Sequence, residues 1–579
     1  MYFLGLFGGS GPNPAAALIK ENKLIAFAEE ERFSRVKNAP SQLPIRSILF
    51  CLDKAGINAK DLTQIGVAWN CEKYAKHQPE FLKSIKEQYP NSDNDYNDLH
   101  ETKLLTAFHP TMITENLRFG LAKANHFIDP NKIQFLDHHH CHAASTFYAS
   151  GFRKSLIFTI DGSGEENCTV EWRANDNSID MIKSHKLPNT LGGYYGTFTE
   201  FLGFRSDSEE GKLMGLAPYG RFDIDLQKKL SQFLSFDEQS GDYRIDPTFR
   251  FYGKRSYNAK FTDKLVELFG IPRSSFEPIT DEHKNLAFNV QWRLEKVVST
   301  LISKSIEKNG IANVCIAGGV GMNCKMNGVI GELKNVENIY VQPASSDNGT
   351  ALGAACLCAV EHGHKIEKIM PHAYWGPDYS DKDIETALCE AKLPFTKPDN
   401  LAQYLALDLQ KGNIIGWMQG RSEIGARALG GRSILANPLI KEMRDKLNLS
   451  VKHREAWRPF CPSMTVENFE TYFGHTKPAD HMIIAYTIKE EFQNLLPSAV
   501  HVDGSVRPQT VRRETNPRYH ELLSEFGKLT GHPILINTSF NIQGEPIVET
   551  PRDALRCFGG TGIDVLVMGD YVVRKPSID

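Results

Sequence analysis

The sequence predicts an α/β protein, and three observations carry that prediction. Three apolar runs each enter a glycine-rich turn: YFLGLFGGSGPNPAAALI at 2–19, SLIFTIDGSGEE at 155–166 and VCIAGGVGMNCKMNG at 314–328. A short apolar run that stops at glycine reads as a buried strand. Glycine also lets the backbone N–H groups of such a turn approach an anion closely. Helical patterns separate these strands. The longest, EHKNLAFNVQWRLEKVVSTLISKSIEKNG at 282–310, ends on Gly310, a suitable C-terminal cap. The third observation is NKIQFLDHHHCHAASTFYAS at 131–150. It reads as a strand, an N-capping Asp137 and an alanine-rich helix.

That last stretch is also the densest chemical signal, with four histidines and a cysteine at positions 138–142. A helix that begins at Asp137 puts His138 and His142 on one face, while His139, His140 and Cys141 point elsewhere. Two imidazoles on one helical face can reach a single metal ion, but carboxylates from elsewhere must complete the site. None of the glycine turns matches a P-loop or a dinucleotide fingerprint.

A chain of 579 residues is expected to form two to four domains. Hydrophobic content of 41% and charged content of 23% fit an ordinary globular protein. A formal net charge of -4 argues against nucleic acid as a bulk partner. Eleven irregularly spaced cysteines without a C-x-x-C pair point to reduced thiols and a cytoplasmic location. No apolar run reaches bilayer length, so no membrane partner is expected. The apolar N-terminus reads as strand and loop, not as a signal peptide. Residues 74–130 are polar and mostly helical in pattern, an insertion over the first half. Pro371, Gly376 and Pro377 break the pattern, and SDKDIETAL starts a new helix with a capping signal. These features put a domain boundary near 370.

The second domain differs in character. GWMQGRSEIGARALGGRSILANP and VKHREAWRPFCPSM carry Arg421, Arg427, Arg432, Lys452, Arg454 and Arg458. Across 421–458 nine Lys or Arg face four Asp or Glu. HVDGSVRPQTV adds Arg507, and PILINTSFNIQGEPIV adds Asn537 and Ser539. Planar guanidinium forks suit phosphate and carboxylate oxygens. Their Gly, Trp, Phe and Pro neighbours favour a shaped cleft over a solvated basic face.

The three strand–turn units in order, the second opening with Asp161, resemble the actin–hexokinase–Hsp70 (ASKHA) fold, in which two such loops hold phosphates and the third holds adenosine. Further stretches closely resemble the NodU/CmcH family of O-carbamoyltransferases. They are IAFAEEERFSRVK, DHHHCHAAS, TIDGSGEE, EGKLMGLAPYG, AGGVGMNCKMNG, ASSDNGTALGAA, GRSEIGARALGGRSILANP, HREAWRPFCPS, HVDGSVRPQTV and NTSFNIQGEPIVETP, and they span about 23–555 in family order.

The resemblance implies a duplicated actin/Hsp70-like α/β transfer domain over 1–370 and a YrdC-like α/β domain over 371–579 that makes carbamoyl-adenylate from carbamoyl phosphate and ATP. It implies transfer of the carbamoyl group to a hydroxyl or amine of a small molecule, sugar-like or a secondary metabolite. It implies ferrous iron held by His138, His142, Asp161 and Asp347, with Mg(II) accompanying ATP. Gly162, Gly164, Gly318, Gly319 and Asn323 would hold ATP or the adenylate. Arg427, Lys452, Arg458, Arg507, Asn537 and Ser539 would bind carbamoyl phosphate, and Lys37 would act with Arg427, Arg458 and Arg507 in catalysis. A homodimer is the expected assembly. Carbamate decomposes in water, so holding both steps in one chain limits loss. One departure stands out. Pro12 and Asn13 occupy the place of the family's His-Asp pair, and proline cannot act as a base. His139, His140 or Lys37 would then have to take the proton. Rival readings are modification of a macromolecule such as tRNA, a non-enzymatic nucleotide-binding module and a sugar kinase.

Overall fold

The computed structural model describes residues 1–9, 11–90, 105–455, 457–474, 477 and 479–575. Residues 91–104 of the expected insertion lie outside the described residues. Its described parts are helical, over Cys71–Gln88 and Pro110–Ala122. The chain forms two compact units. One holds Met1–Glu30 and Asn38–Pro371; the other holds His372–Asp579 together with Glu31–Lys37.

The first unit is a duplication. Strands β1 (Tyr2–Phe7), β2 (Ala15–Lys20), β3 (Lys23–Glu29), β4 (Gln64–Val67) and β5 (Ile133–Phe135) form a sheet of order β3-β2-β1-β4-β5. β1–β2 and β2–β3 are antiparallel, whereas β1–β4 and β4–β5 are parallel. The second sheet uses β6 (Lys154–Ile160), β7 (Asn167–Asn175), β8 (Ser178–Lys186), β11 (Asn313–Ala317) and β12 (Asn338–Val341). Read as β8-β7-β6-β11-β12, it repeats the same order and the same directions. A small hairpin of β9 (Leu234–Phe236) and β10 (Tyr243–Ile245) stands apart from both. This twofold repeat is the actin/Hsp70-like architecture that the sequence implies.

Each sheet ends in a helix with a role in the site. His138–Ser150 follows β5, and Asn348–Glu361 follows β12. The two helices cross closely at glycine. A Cβ on Gly353 would stand 1.8 Å from the Cys141 carbonyl oxygen, and one on Gly5 would stand 2.0 Å from that of Ala351. The long helix runs from Asp281 to Asn309 and stops at Gly310, which is left-handed with φ 65° and bonds back to Ile306. Among the described residues no helix is long and apolar enough to cross a membrane. All eleven cysteines are free thiols.

The second unit is built on an eight-stranded mixed sheet of order β13-β22-β21-β14-β15-β20-β16-β19. Its strands are β13 (Phe395–Thr396), β14 (Ile415–Met418), β15 (Arg432–Ala436), β16 (Cys461–Thr465), β19 (Gln509–Val511), β20 (Ile534–Ser539), β21 (Val565–Met568) and β22 (Tyr571–Arg574). β17 (Tyr486–Thr487) and β18 (Ser505–Val506) pair separately. Alternation divides the core. Ile415, Trp417, Leu435 and Val567 pack with Tyr519 and Phe526 on one face. Met418, Ile434, Ile536 and Leu566 pack with Phe540 and Phe558 on the other.

Candidate functional site

The histidine-rich stretch folds as its spacing predicts. His138 and His142 project from the first turns of their helix, with their Nε2 atoms 3.1 Å apart. Asp161, at the end of β6, and Asp347, just before its helix, complete a cluster. Its four ligand atoms lie within 4.8 Å of one another. Asp161 Oδ2 is 2.9 Å from His142 Nε2 and 3.5 Å from His138 Nε2. Asp347 Oδ1 is 3.6 Å from His138 Nε2 and 3.8 Å from His142 Nε2. The duplication explains the convergence, because the two helices start at equivalent ends of the two sheets.

His138 Nδ1 donates to the Ala68 carbonyl at 3.0 Å, which turns its Nε2 toward the cluster. Burial opposes charge on His138, but hydrogen bonds to Asp161 and Asp347 outweigh it and hold its pKa well above the usual imidazole value. Burial also works against the Asp161 carboxylate, yet His138 and His142 hold its pKa well below the usual range. Two carboxylates and two imidazole nitrogens facing one point form a donor set for a divalent first-row cation. The residues present fit the metal that the family resemblance implies.

Asp137 does not cap this helix through its side chain. Glu165 does so from the DGSGEE turn: its Oε1 accepts the backbone N–H of His138 at 3.0 Å and that of Asn70 at 2.7 Å. Asp137 is drawn off by Asn70 Nδ2 at 3.2 Å and Lys73 Nζ at 3.4 Å. Glu30 treats the helix Ile45–Ala55 in the same way, accepting the Ser47 N–H at 2.9 Å.

The histidines suggested as substitute bases are engaged elsewhere. His139 Nδ1 lies 2.8 Å from Thr159 Oγ1 and Nε2 lies 2.9 Å from the Asn167 carbonyl. Burial, then the charges of His138 and His142, push its pKa down to about 3. His140 stacks on Trp172, with ring centroids 5.3 Å apart. His139 therefore cannot swing to the cluster without leaving Thr159 and Asn167 unpaired. Asn13 sits at φ 65° and donates from Nδ2 to Ser346 Oγ at 3.2 Å, so the Pro12–Asn13 turn lies beside the Asp347 loop.

The glycine turns surround Asp161. The Gly162 N–H donates to Asp161 Oδ1 at 2.7 Å. A Cβ on Gly319 would stand 3.0 Å from that oxygen, and one on Gly318, at φ 93°, would stand 2.3 Å from the Ile160 carbonyl oxygen. At Gly162 a Cβ would meet nothing within 4 Å, so the space over that turn is open. Gly164 packs on His139. Asn323 caps the helix Cys324–Gly331 through the Met326 N–H and pairs with Gln291.

In the second unit the cations cluster, and Lys37 is among them. Lys37 is solvent-accessible. Its pKa is nonetheless lowered, by desolvation first and then by Arg32, Arg458 and Arg427 against the opposing Glu31. Lys452 is buried and donates to Asn541 Oδ1 at 2.9 Å, to the Asn541 carbonyl at 3.1 Å and to the Ser539 carbonyl. Burial, then Arg454, Lys37 and Arg458, hold its pKa well below the usual ammonium value. Arg454 packs 4.3 Å over the Phe460 ring, and burial followed by Arg458 and Arg507 lowers it to about 9. Arg507 donates to Cys461 Sγ at 3.2 Å from Nε and 2.9 Å from Nη2. Asn537 donates to Ser463 Oγ and Gln509 Oε1. Its own Oδ1 has no hydrogen-bond partner among the described residues. Ser539 Oγ donates to Asn541 Oδ1 at 2.7 Å.

Arg432 and Arg421 lie outside this cluster. Arg432 is fully buried, donating to the carbonyls of Gln419, Gly420 and Gly431 and to Glu549. Arg421 donates to the Gly376 and Trp375 carbonyls. These two hold loops together. Sequence reasoning missed Glu165, Cys461, Gln509 and Asn541, whose contacts depend on pairings distant along the chain.

Fold and site thus define a two-unit α/β protein with an acid–imidazole cluster in one unit and a cation cluster in the other. The family profile described as Carbamoyltransferase N-terminus matches residues 12–356, and Carbamoyltransferase C-terminus matches 406–575. The chain belongs to the carbamoyltransferase family, whose enzymes transfer carbamoyl groups. It is 35% identical to Nodulation protein U of Sinorhizobium fredii over 589 residues, covering 97% of each chain. It is 37% identical to Nodulation protein NolO of Bradyrhizobium diazoefficiens over 449 residues, covering 76% of this chain and 79% of that one. It is also 35% identical over 600 residues to the uncharacterized protein sll1178 of Synechocystis sp., covering 97% and 95%.

Proposed function

We propose that this protein is an ATP-dependent carbamoyltransferase. It converts carbamoyl phosphate and ATP to carbamoyl-adenylate and passes the carbamoyl group to a hydroxyl or amine of a small, sugar-like or secondary-metabolite acceptor. The observation that carries the first half is the charge of the second unit's cluster. Lys37, Arg427, Lys452, Arg454, Arg458 and Arg507 perturb one another, and the carboxylates that face Lys37 and Arg454 are Glu31 and Glu455. So much like charge held together calls for an anion of high charge density. The forks of Arg427, Arg458 and Arg507 suit the phosphoryl oxygens, and the buried, unpartnered Asn537 Oδ1 would accept from the carbamoyl NH₂. Water attacks the phosphorus of carbamoyl phosphate, the water oxygen leaves with inorganic phosphate, and the broken P–O bond frees carbamate. Its oxygen attacks the α-phosphorus of ATP and pyrophosphate departs.

In the first unit the open turn at Gly162, with Gly164, Gly318, Gly319 and Asn323, is the proposed seat of the adenylate and its Mg(II). A divalent cation at His138, His142, Asp161 and Asp347, ferrous iron in this proposal, would supply fixed positive charge for the oxyanion of carbamoyl transfer. His138, held in one tautomer by Ala68, and the Glu165-capped helix keep that donor set in place. The acceptor oxygen or nitrogen attacks the carbamoyl carbon, AMP leaves, and the acceptor's proton must pass to a base. With His139 tied to Thr159 and Asn167, an amine acceptor, which needs less activation, becomes the favoured nucleophile.

The test is incubation with ATP, carbamoyl phosphate and a mixture of sugars, amino sugars and amines, read by mass spectrometry. One carbamoyl mass added to one class identifies the acceptor. Absence of carbamoyl-phosphate-dependent ATP–pyrophosphate exchange would refute the adenylation step. Pro12→His separates the acceptor types: a large rate gain on hydroxyl acceptors alone shows that a base was missing there.

A further inference from the structure

Residues Glu31–Lys37 belong to the second unit, although the sequence places them between two elements of the first. Two arginines hold them there. Arg32, 3% exposed, donates from Nη2 to the Gly425 carbonyl at 2.9 Å. Its charge also acts on the buried Glu549, which Arg432 engages as well. Arg35 donates from Nη1 to the Ile547 carbonyl at 2.6 Å and from Nη2 to the Pro546 carbonyl at 3.1 Å. Its Nε lies 3.4 Å from the Asp553 carboxylate. Asp553 is itself fixed, accepting the Thr550 N–H at 3.0 Å in the capping box of the helix Pro551–Gly559.

The backbone of the segment is constrained too. Arg35 adopts φ 59°, a left-handed conformation that a residue with a Cβ holds only where its surroundings impose it. Two residues later comes Lys37, whose charge acts together with those of Arg427 and Arg458. Most of the bonds that hold the segment run to backbone carbonyls. They do not compete for the anion that the cluster would take.

We infer that Arg32 and Arg35 are positioning residues of the anion site: Arg32 pins the 31–37 segment to the Gly425 carbonyl and Arg35 pins it to the 546–553 turn, and together they present the Lys37 ammonium to Arg427 and Arg458. Neither touches substrate in this assignment. The inference rests on the proposed reading of the cluster as the carbamoyl phosphate site. It adds to that reading the means by which a cation from the N-terminal part of the sequence enters it.

The test uses the full-length protein and two readouts. The first is reductive methylation of Lys37 across a pH series, followed by peptide mass spectrometry, which requires no turnover. The groups that face Lys37 are Glu31, Arg32, Arg427, Arg458 and Lys452. The wild-type midpoint should lie below that of ordinary surface lysines. Arg35→Ala should move it up to theirs, because Lys37 leaves the desolvated setting and the cationic neighbours that depress it. Arg35→Lys, which can still reach one carbonyl, should recover part of the shift. The second readout is the KM for carbamoyl phosphate in pyrophosphate exchange. It should rise roughly 10- to 100-fold in Arg35→Ala, the effect of one or two charge-assisted hydrogen bonds. Arg118→Ala, at an exposed pair with Glu115, should change neither.

An unchanged Lys37 midpoint in folded Arg35→Ala overturns the inference, whatever the activity does. If Arg35→Ala does not fold, Arg35→Gln, which keeps a donor for one carbonyl, is read in the same way. Absence of exchange in the wild type with a Lys37 midpoint that still shifts would sink the carbamoyl phosphate reading and leave the pinned segment standing.

Discussion

The two clusters solve opposite electrostatic problems. In the first unit two carboxylates and two imidazoles compensate one another within 4.8 Å, and every ligand comes from the end of a regular element. In the second, cations accumulate against few carboxylates, and the strain appears as depressed pKa values at Lys452, Arg454 and Lys37. A balanced cluster depends on geometry above all. An unbalanced cluster gains stability from any anion that it binds. The Glu165 cap and the Ala68 carbonyl fix the first. Around the second, the cations are held by backbone carbonyls, the Asn541 side chain and a thiol.

The sharpest way to break the contrast is at the ligands. The purified protein should carry about one divalent metal per chain. His142→Ala should lose it, an effect beyond the roughly 10- to 100-fold affinity loss that changes outside the ligand shell cause. Glu165→Gln should fall within that range, and His139→Ala should keep the metal while losing stability. Elemental analysis with a melting curve reads all three. Equal metal loss from His139→Ala and His142→Ala would refute the assignment.

Next in size is the cation cluster. Arg427→Ala or Arg507→Ala should cost about 2–5 kcal/mol in carbamoyl-phosphate-dependent exchange, because each leaves a desolvated anion underpaired. Wild-type exchange in both would remove the clamp.

Phosphate binding should separate the regions without catalysis. At about 100 times its Kd, inorganic phosphate should stabilise the protein by about 2.7 kcal/mol. Scanning calorimetry should show that gain abolished by Arg427→Ala and retained by His142→Ala. The reverse pattern would place the anion at the wrong cluster.

The smallest effect is a pH slope. Burial, aided by Asp207, raises the Glu210 carboxyl of the first unit from 4.5 to about 7. Its contribution to stability is fully present below 4.5 and is lost as pH rises through about 7. Glu210→Gln should recover about 1–2 kcal/mol above that pH, allowing for partial solvent access. Lys452 has the opposite sign. Its folded pKa lies below the unfolded 10.5, so the unfolded chain binds more protons and stability rises with pH toward 10.5. Chemical denaturation at several pH values distinguishes the two slopes, and slopes of the same sign would contradict the assigned shifts.

Much of the first site was readable because helical periodicity is local. The i, i+4 spacing alone put His138 and His142 together, and Gly310 marked the end of the long helix. Asp161 and Asp347 were reached only through the family resemblance, since no local pattern says that the ends of β6 and β12 converge. Asp favours the cap position, so the sequence predicts Asp137 there. Glu165 takes the role because the fold brings its carboxylate to the helix start, while Lys73 and Asn70 engage Asp137. Arg427 and Arg432 look alike in GRSEIGARALGGRS, yet one joins the cation cluster and the other is sealed among carbonyls.

The α/β class, the three strand–turn units, the histidine face and the richness in arginine are legible in the residues alone, because strand and helix periods and residue chemistry are properties of short stretches. The tertiary contacts set which carboxylates meet the histidines, which arginines gather in the cation cluster and where residues 31–37 belong. Those outcomes depend on contacts between residues far apart in the chain, such as Arg35 with Ile547 and His138 with Asp347. Local preference carries no information about such pairs until the sheets are formed.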